Sequence, residues 1–560
     1  MKKSPTRFPV IFAAASIPSF WTSRRTAKSY ITPKRSSIVL CEELLIERLA
    51  EHLTVTMDEP RAATTSTICA LRFIRARWIP ILLLSVLALL PCYWHRRIEA
   101  GDLGSHTYNA WLALLVSKGQ APGLHVVRQW NNVAVDLALT WLGSRLEFVN
   151  AERIVVCVCV LCFFWGAFAF VAVATQRAPW FLLPAIAMIS YGYTFYCGFL
   201  NYYVSVGLAF WAAAILWRGR RSDWIVGAFF AVLTFMAHPM GFGILLALVA
   251  YIRLAAMARG RYRWLLAAGA LLLLFALHWY LHRYRTEAWL GLHGLFMTGA
   301  DQLLLFGRRY KFLAEVVLAF GSVSFLIAAN RDRKKLPLTQ QIWTPLTLWG
   351  LLVVTAALMP GAIWLPQYVA AVSSISTRLS SVTAIVGLCV LGSVRPRKWI
   401  LAGLLVCASL FFTFQYQDTA TLNRMEQQIE TFVGALPYGW RVTYTMYLGA
   451  DNRINFRHMV DRACIGKCFA YSNYEPGTGQ FRVRITPPGS PLVSDSGLAM
   501  ELGEYVVRPG DLPMAQIYQP DEANLTKLAI RELAPGEKNG RLGHHPSASE
   551  IEERLPSHSR

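Results

Sequence analysis

One carboxylate follows closely after an apolar run and is surrounded by small and polar residues. Asp102 lies in residues 101–111 (GDLGSHTYNAW), and His106 follows it by about one turn, so both side chains share a face if the segment is helical. A carboxylate at such a position can act as general base on an acceptor hydroxyl. Asp102 can equally cap the helix, with Ser105 as a second candidate. The spacing therefore predicts Asp102 and His106 as catalytic candidates and leaves the capping role open.

A second polar segment has residue types that suit sugar recognition. Arg128, Trp130, Asn131 and Asn132 fall within five consecutive positions, RQWNN, between two weakly apolar stretches. Amides can hydrogen-bond sugar hydroxyls and an aromatic face can pack on a sugar ring. Asn pairs also form turns, and Trp also anchors proteins at membrane interfaces. Both interpretations apply to this segment.

Two further polar residues interrupt apolar hairpins. Asn201 stands among aromatic residues and requires a polar partner. His238 precedes Pro239 at another turn, where it can line a polar cavity. A single histidine is a poor metal site, so a role as metal ligand is disfavoured.

Basic residues also gather in the loop at residues 282–311, and Arg378 is a lone candidate of the same kind at the outer end of the tenth apolar segment. A guanidinium matches phosphate oxygens, so an Arg cluster outside the cytoplasm predicts binding of a lipid phosphate or pyrophosphate. Contact with anionic headgroups is the ordinary alternative. The substrate-binding candidates from this region are His282, Asp301, Arg308, Arg309, Lys311 and Arg378. Separately, the spacing of Cys464 and Cys468 predicts a local disulfide in an oxidising compartment.

The elements that position these residues are apolar helices. The 560 residues are 55% hydrophobic and 16% charged, which is typical of a helical membrane protein. About eleven segments approach the roughly 20 apolar residues that a crossing helix needs. They are residues 77–94, 153–175, 180–197, 199–217, 224–237, 241–257, 264–281, 312–329, 343–359, 382–391 and 399–414.

Charge patterning predicts the orientation of these helices. Lys and Arg (55) exceed Asp and Glu (33), and every second loop is short and basic: residues 176–177, 218–221, 259–263, 330–335 and 395–398. Such loops remain in the cytoplasm. We therefore expect a multi-pass protein of the cell (inner) membrane, with its N-terminus inside and its C-terminal region outside. The basic excess is thereby assigned to membrane anchoring and not to nucleic acid.

The predicted fold class is an all-α polytopic membrane protein with a small extracytoplasmic α+β domain. Residues 1–76 are predicted as a disordered basic segment, and Met57 is a second candidate start. A membrane domain, residues 77–414, carries outer loops at 95–152 and 282–311, the first with interfacial helices at 108–116 and 133–141. The α+β domain, residues 415–536, has a helix at 421–433 and strands at 440–447, 479–485 and 504–507, before a disordered tail, 537–560.

This layout resembles the GT-C membrane glycosyltransferases, with protein O-mannosyltransferases and the aminoarabinose transferases of lipid A as the most similar in arrangement. The resemblance covers residues 77–530 as architecture, and Asp102 with its neighbourhood carries it at motif level. Many members have paired acidic residues there, whereas Leu103 follows Asp102 in this chain. The resemblance implies hexosyl or pentosyl transfer from a polyprenyl-phosphate carrier, with Asp102 as base and Arg308, Arg309, Lys311 and Arg378 as candidate phosphate contacts.

Two other functions fit the same features. A transporter or flippase of lipid-linked sugars would use the same basic cluster, and an O-antigen polymerase or ligase would depend on outer Arg and His residues more than on Asp102. The mid-membrane positions hold few charged residues, which disfavours ion-coupled transport, and no phosphate-binding Gly loop occurs. The sequence predicts no cofactor, leaves a divalent metal open, and does not define the sugar, acceptor or oligomeric state.

Overall fold

Helices make up most of the described chain. The computed structural model describes residues 67–540 except 218, 289–297, 333–339, 367, 369–370, 396, 447–455, 457 and 522–523. The helices are α1 (Thr67–Leu89), α2 (Leu103–Ser117), α3 (Ala134–Gly143), α4 (Phe148–Thr175), α5 (Leu183–Ser190), α6 (Tyr193–Tyr196), α7 (Leu200–Leu216), α8 (Arg221–Ala237), α9 (Pro239–Met257), α10 (Arg261–Tyr284), α11 (Arg308–Asp332), α12 (Gln340–Leu358), α13 (Ile375–Gly392), α14 (Lys398–Ala435), α15 (Met459–Ala463), α16 (Glu475–Thr478) and α17 (Gly497–Glu501).

Six of these helices are long and apolar enough to cross a membrane: α4, α9, α10, α11, α13 and α14. Shorter apolar helices occur at Arg77–Cys92, Ala134–Gly143, Leu200–Leu216 and Ile342–Leu358. Many side chains on the long helices are apolar and exposed, and α10 has no buried residue. Such surfaces fit a lipid solvent, so the coarse prediction of a helical membrane protein agrees with the structure.

The third apolar segment departs from a simple crossing helix. Residues 180–197 form a short 3-10 turn, α5 and α6, with a break at Tyr191 and Gly192. Neither α5 nor α6 spans the hydrocarbon by itself. The chain then reverses at Gly198, whose φ of +79° suits glycine, before α7 begins.

The last apolar segment is longer than predicted. The separate helix expected at 421–433 is the second half of α14, which runs without interruption over 38 residues. The intervening residues 415–420 (QYQDTA) contain neither Pro nor Gly, so nothing ends the helix there. At the other end of the chain, α1 begins at Thr67, inside the predicted disordered segment; residues 1–66 and 541–560 lie outside the described residues.

The C-terminal region contains the main sheet. Its strands are β4 (Arg441–Thr445), β5 (Phe469–Ala470), β7 (Met514–Tyr518) and β8 (Ala529–Glu532), in the order β5-β4-β7-β8. β4 runs parallel to β5 and β7, and β8 is antiparallel to β7. Two strands that periodicity did not predict, β7 and β8, are thus part of this sheet, while 504–507 contributes only a single bridge from Val506 to Lys538.

Two small sheets join distant parts of the chain. β1 (Leu124–Val126) pairs with β6 (Val483–Ile485), so the strand predicted at 479–485 joins the first loop and not the main sheet. β2 (Glu287–Ala288) pairs with β3 (Ala362–Ile363). The pairing of β1 with β6 attaches the C-terminal region to the segment that follows α1, where Asp102 is found.

Candidate functional site

Asp102 stands at the N-terminal end of α2 with its carboxylate uncommitted to capping. Its backbone N–H donates to the Cys197 carbonyl at 3.0 Å, and Gly101 N–H donates to Tyr196 at 2.8 Å. The side chain makes no capping hydrogen bond to α2 and is 27% exposed. The Asp102 carboxylate therefore does not cap α2.

The loop before α7 fits against Asp102 because Gly198 has no side chain. A Cβ at Gly198 would collide with the backbone nitrogens of Asp102 and Leu103. The same absence of a side chain lets the chain take a positive φ there. Gly198 thus fixes how closely the backbone of Asp102 approaches the α6–α7 turn.

His458, from the C-terminal region, faces Asp102. Its Nε2 lies 3.9 Å from Asp102 Oδ1, and its Nδ1 donates to Asp461 Oδ2 at 2.8 Å. Burial alone would lower the pKa of His458, but the Asp461 carboxylate outweighs it, and Glu501 and Asp102 add to the rise, to about 10. The raised pKa favours the imidazolium at neutral pH, and its Nε2–H lies on the side of Asp102.

Arg378, on α13, is a second cation in this part of the structure. Its guanidinium lies 4.2 Å from the centre of the Phe199 ring and 5.8 Å from that of Tyr202. The Tyr202 hydroxyl donates to the Arg378 carbonyl at 2.7 Å, which fixes the start of α13 against α7. Asp102 lies within electrostatic range of the guanidinium. Within the described residues, the buried Nε of Arg378 has no hydrogen-bond partner.

His106 is held in a chain of polar contacts one turn along α2. Its Nδ1 lies 3.0 Å from Asp136 Oδ1, and Asn201 donates to Asp136 Oδ2 at 2.7 Å. Asn201 Oδ1 accepts from Val135 N–H at 2.9 Å, so the polar partner that the sequence required for Asn201 is supplied by α3. Burial lowers the pKa of His106, but the Asp136 carboxylate outweighs this effect and raises it to about 9. His106 is accordingly charged and anchored to α3.

A second carboxylate of the C-terminal region packs on the same helix. Glu475 accepts from Ser105 at 2.6 Å and from Asn109 at 2.7 Å, and Asn473 donates to Asn109 at 3.0 Å. Burial raises the pKa of Glu475 to about 7, although His106 and Ser105 oppose the rise. The polar face of α2 is thus completed by residues more than three hundred positions away.

A cluster of buried charged side chains links the segment before α2 to α4, α14 and α15. Arg462 donates to Glu152 at 2.7 Å and to Glu99 at 3.3 Å, and also to Glu426. Glu99 precedes Asp102, Glu152 belongs to α4 and Glu426 to α14. Arg462 follows His458 by one turn of α15, so the cluster determines where His458 lies relative to Asp102.

The candidates of the first outer loop, and His238, lie in different surroundings. Arg128 stacks on the exposed ring of Trp130 at 4.4 Å. Asn131 is half-buried, and the Asn132 carbonyl accepts from Asn201 at 3.3 Å. His238 accepts from Met240 N–H at 3.1 Å and packs edge-on against Tyr202. Of these residues only His238 adjoins the Arg378 side of the site, through Tyr202.

The basic cluster predicted before α11 does not act as one unit. Arg309 pairs with Asp418 on α14 at 2.6 Å, whereas Arg308 and Lys311 are exposed. Two other candidates have partners elsewhere: His282 pairs with Glu287 at 2.6 Å, and buried Asp301 accepts from Ser380 at 2.7 Å. Among the described contacts, none links these residues to Asp102, whereas the Arg378 guanidinium lies within electrostatic range of that carboxylate. Cys464 and Cys468 form a disulfide directly after α15.

Sequence reasoning missed His458, Asp461, Arg462 and Glu475. The spacing of His458 and Asp461, three residues apart and followed by Arg462, was a local signal of a charged helical turn. Their proximity to Asp102 has no local signal, because it depends on contacts across more than 350 positions. The described residues hold no group of three or more His, Cys, Asp or Glu side chains that could bind a metal ion.

Comparison with known proteins adds no assignment. The chain matches no family model, no curated protein and no solved structure.

Proposed function

We propose that this chain is a membrane glycosyltransferase that moves a sugar from a polyprenyl-phosphate carrier to an acceptor outside the cytoplasm, with Asp102 as general base. The observation that carries the proposal is a partly exposed carboxylate, Asp102, that faces the His458 imidazole at 3.9 Å and lies within electrostatic range of the Arg378 guanidinium. A base beside a phosphate-binding site is what such a transfer requires.

The chemistry balances with these three side chains. The acceptor oxygen bonds to the anomeric carbon while the bond from that carbon to the phosphate oxygen breaks. The acceptor proton passes to Asp102, and the bonding electron pair leaves with the polyprenyl phosphate. Arg378 and His458 would stabilise the negative charge that develops on this leaving group, because a cation near the departing oxygen lowers the energy of the transition state.

The membrane layout belongs to the same proposal. We place the N-terminus in the cytoplasm and about eleven crossings in the inner membrane, with basic loops inside and the Asp102 site outside. A lipid-linked donor would then reach the site from the outer leaflet. The resemblance to GT-C enzymes motivates this arrangement, and the cations that we assign to the phosphate are Arg378 and His458 instead of the cluster that begins with Arg308.

The test is sugar transfer in membranes that contain the wild type or Asp102→Asn, with a panel of radiolabelled polyprenyl-phosphate sugars as donors. We expect transfer by the wild type and its loss in the variant. Asp495→Asn is the control, since Asp495 is an exposed residue of the same C-terminal region whose carboxylate accepts a hydrogen bond from the adjacent Ser496. Transfer by Asp102→Asn at the wild-type rate would remove Asp102 from the mechanism, and absence of transfer with every donor would reject the proposal.

A second pair of variants examines the leaving-group site. Arg378→Gln and His458→Gln each remove one cationic donor, and each should reduce the rate of transfer roughly 10²–10³-fold. A loss limited to the apparent affinity for donor would instead assign these residues to ground-state binding. Unchanged kinetics in both variants would contradict the assignment.

A further inference from the structure

The outward face of α3 and of the loop before it is apolar, aromatic and basic. Leu137 and Trp141 lie one turn apart on this face, and Trp141 is 58% exposed. Trp130, in the preceding loop, is 61% exposed. Arg128 covers the Trp130 ring and Arg145 covers the Trp141 ring, each at 4.4 Å. We call Arg128, Trp130, Leu137, Trp141 and Arg145 the α3 surface.

The position of α3 limits what can cover this surface. α3 packs against α2, α4, α7 and α8. Val133, at its start, donates to Met236 at the end of α8, and Asn201 at the start of α7 holds Val135. α4 begins five residues after α3 ends. Three apolar helices therefore have an end at α3.

Two of these helices also carry exposed apolar side chains. Val158 on α4 and Phe229 and Val232 on α8 are all more than half exposed. If lipid hydrocarbon covers α4 and α8, it ends near the level of α3, where headgroups begin. Trp and Arg are the side chains suited to that level, because an amphipathic ring and a long cationic side chain each have an apolar and a polar part.

From this placement we propose that the α3 surface binds the headgroup region of a bilayer that contains anionic phospholipid. Leu137, Trp130 and Trp141 enter the interface, and the guanidinium groups of Arg128 and Arg145 contact lipid phosphates. Within the described residues, Arg128 donates no hydrogen bond, which leaves its N–H groups available to a phosphate. The inner face of α3 carries Asp136, so the lipid-bound helix also holds His106.

This inference does not depend on the proposed sugar transfer. It is tested on the full chain, reconstituted in vesicles, with a nitroxide label on Leu137→Cys. Ser117→Cys, at the exposed end of α2, is the matched control, and the labelled wild type provides the background from native cysteines. Collisions of the nitroxide with oxygen report hydrocarbon, and collisions with a water-soluble nickel complex report solvent.

We expect the label at 137 to favour oxygen over the nickel complex and the label at 117 to show the reverse. Addition of phosphatidylglycerol to phosphatidylcholine vesicles should move the label at 137 deeper, and Arg128→Gln with Arg145→Gln should abolish that change. Equal access at 137 and 117 would overturn the proposal. Protection at 137 from both reagents would overturn it too, since a protein and not lipid would then cover the surface. If phosphatidylglycerol does not change the depth of the label at 137, the α3 surface does not recognise anionic phospholipid.

Discussion

Removal of Arg462 should destabilise the protein more than removal of any exposed Arg. Its guanidinium compensates the buried carboxylates of Glu99, Glu152 and Glu426. Burial already raises the pKa of Glu99, the nearby Glu426 charge raises it further, and Arg462 opposes both effects. Arg462→Met keeps much of the side-chain volume but leaves these carboxylates without their shared cation. Breaking a buried ion pair from one side costs about 3–5 kcal/mol, which is the expected loss at neutral pH.

The loss of stability caused by Arg462→Met should become smaller as pH falls. Without Arg462, which opposes the effect of burial, the folded-state pKa values of Glu99 and Glu152 rise further above their unfolded values. The folded variant then binds more protons than the unfolded chain as pH falls, so its stability increases towards acid. The penalty is complete above the raised folded pKa values and disappears below the unfolded value of about 4.3. The difference between wild type and Arg462→Met should therefore shrink on acidification.

The measurement is SDS-induced unfolding in mixed micelles, followed by far-UV circular dichroism. Arg96→Met is the matched control, because Arg96 pairs with Glu430 at 3.0 Å near the same cluster but is 68% exposed. Such a pair contributes about 0–1 kcal/mol. The double variant Arg462→Met with Glu426→Gln should recover part of the loss, since one uncompensated charge is gone. If Arg462→Met lowers the free energy of unfolding no more than Arg96→Met does, the buried cluster does not stabilise the fold.

Three other changes test separate features. Gly198→Ala should cost about 1–3 kcal/mol, because its φ is positive and a Cβ meets Asp102; unchanged unfolding would contradict the close approach. Glu475→Gln should flatten the pH dependence of the unfolding free energy. Burial raises the pKa of Glu475 to about 7, so the stability of the wild type falls as pH rises through 7. An identical pH profile in the variant would refute this. Replacing Cys464 and Cys468 together by Ser should lower the unfolding free energy by about 2 kcal/mol, and no loss would show that the short loop is held by other contacts.

The sequence predicted the parts of this structure that depend on local pattern. All eleven apolar segments contain α-helix in the described structure, although residues 180–197 are divided between α5 and α6, because hydrophobic runs of that length have few other folds in lipid. Asp102 could be identified from its position after the first run, and α2 from the residues around it. The α5–α6 break and the continuous α14 were missed, since both depend on weak local signals: a Tyr-Gly pair and the absence of a helix breaker.

The partners of Asp102 could not be predicted in this way. His458 approaches Asp102 because α15 packs against α2, and Arg378 lies within electrostatic range of it because the start of α13 packs on Phe199 and Tyr202. No periodicity in the sequence records these contacts. Arg308 and Lys311 looked equally suitable by composition, yet they are exposed at the start of α11. A basic residue becomes a site residue through its neighbours, and for Arg378 these are the Phe199 and Tyr202 rings.

The contacts between α2 and the C-terminal region also constrain the membrane topology. β1 pairs with β6, and His458 faces Asp102, so the segment after α1 and the segment after α14 lie on the same side of any bilayer. The number of crossings from α4 to α14 is then even. Without the α5–α6 segment, the apolar helices in this interval are α4 and α7–α14, which is an odd set. Either the broken α5–α6 segment completes a crossing or one of the others does not cross. The first solution restores the alternation of basic loops, because it places residues 176–177 and 218–221 on one side.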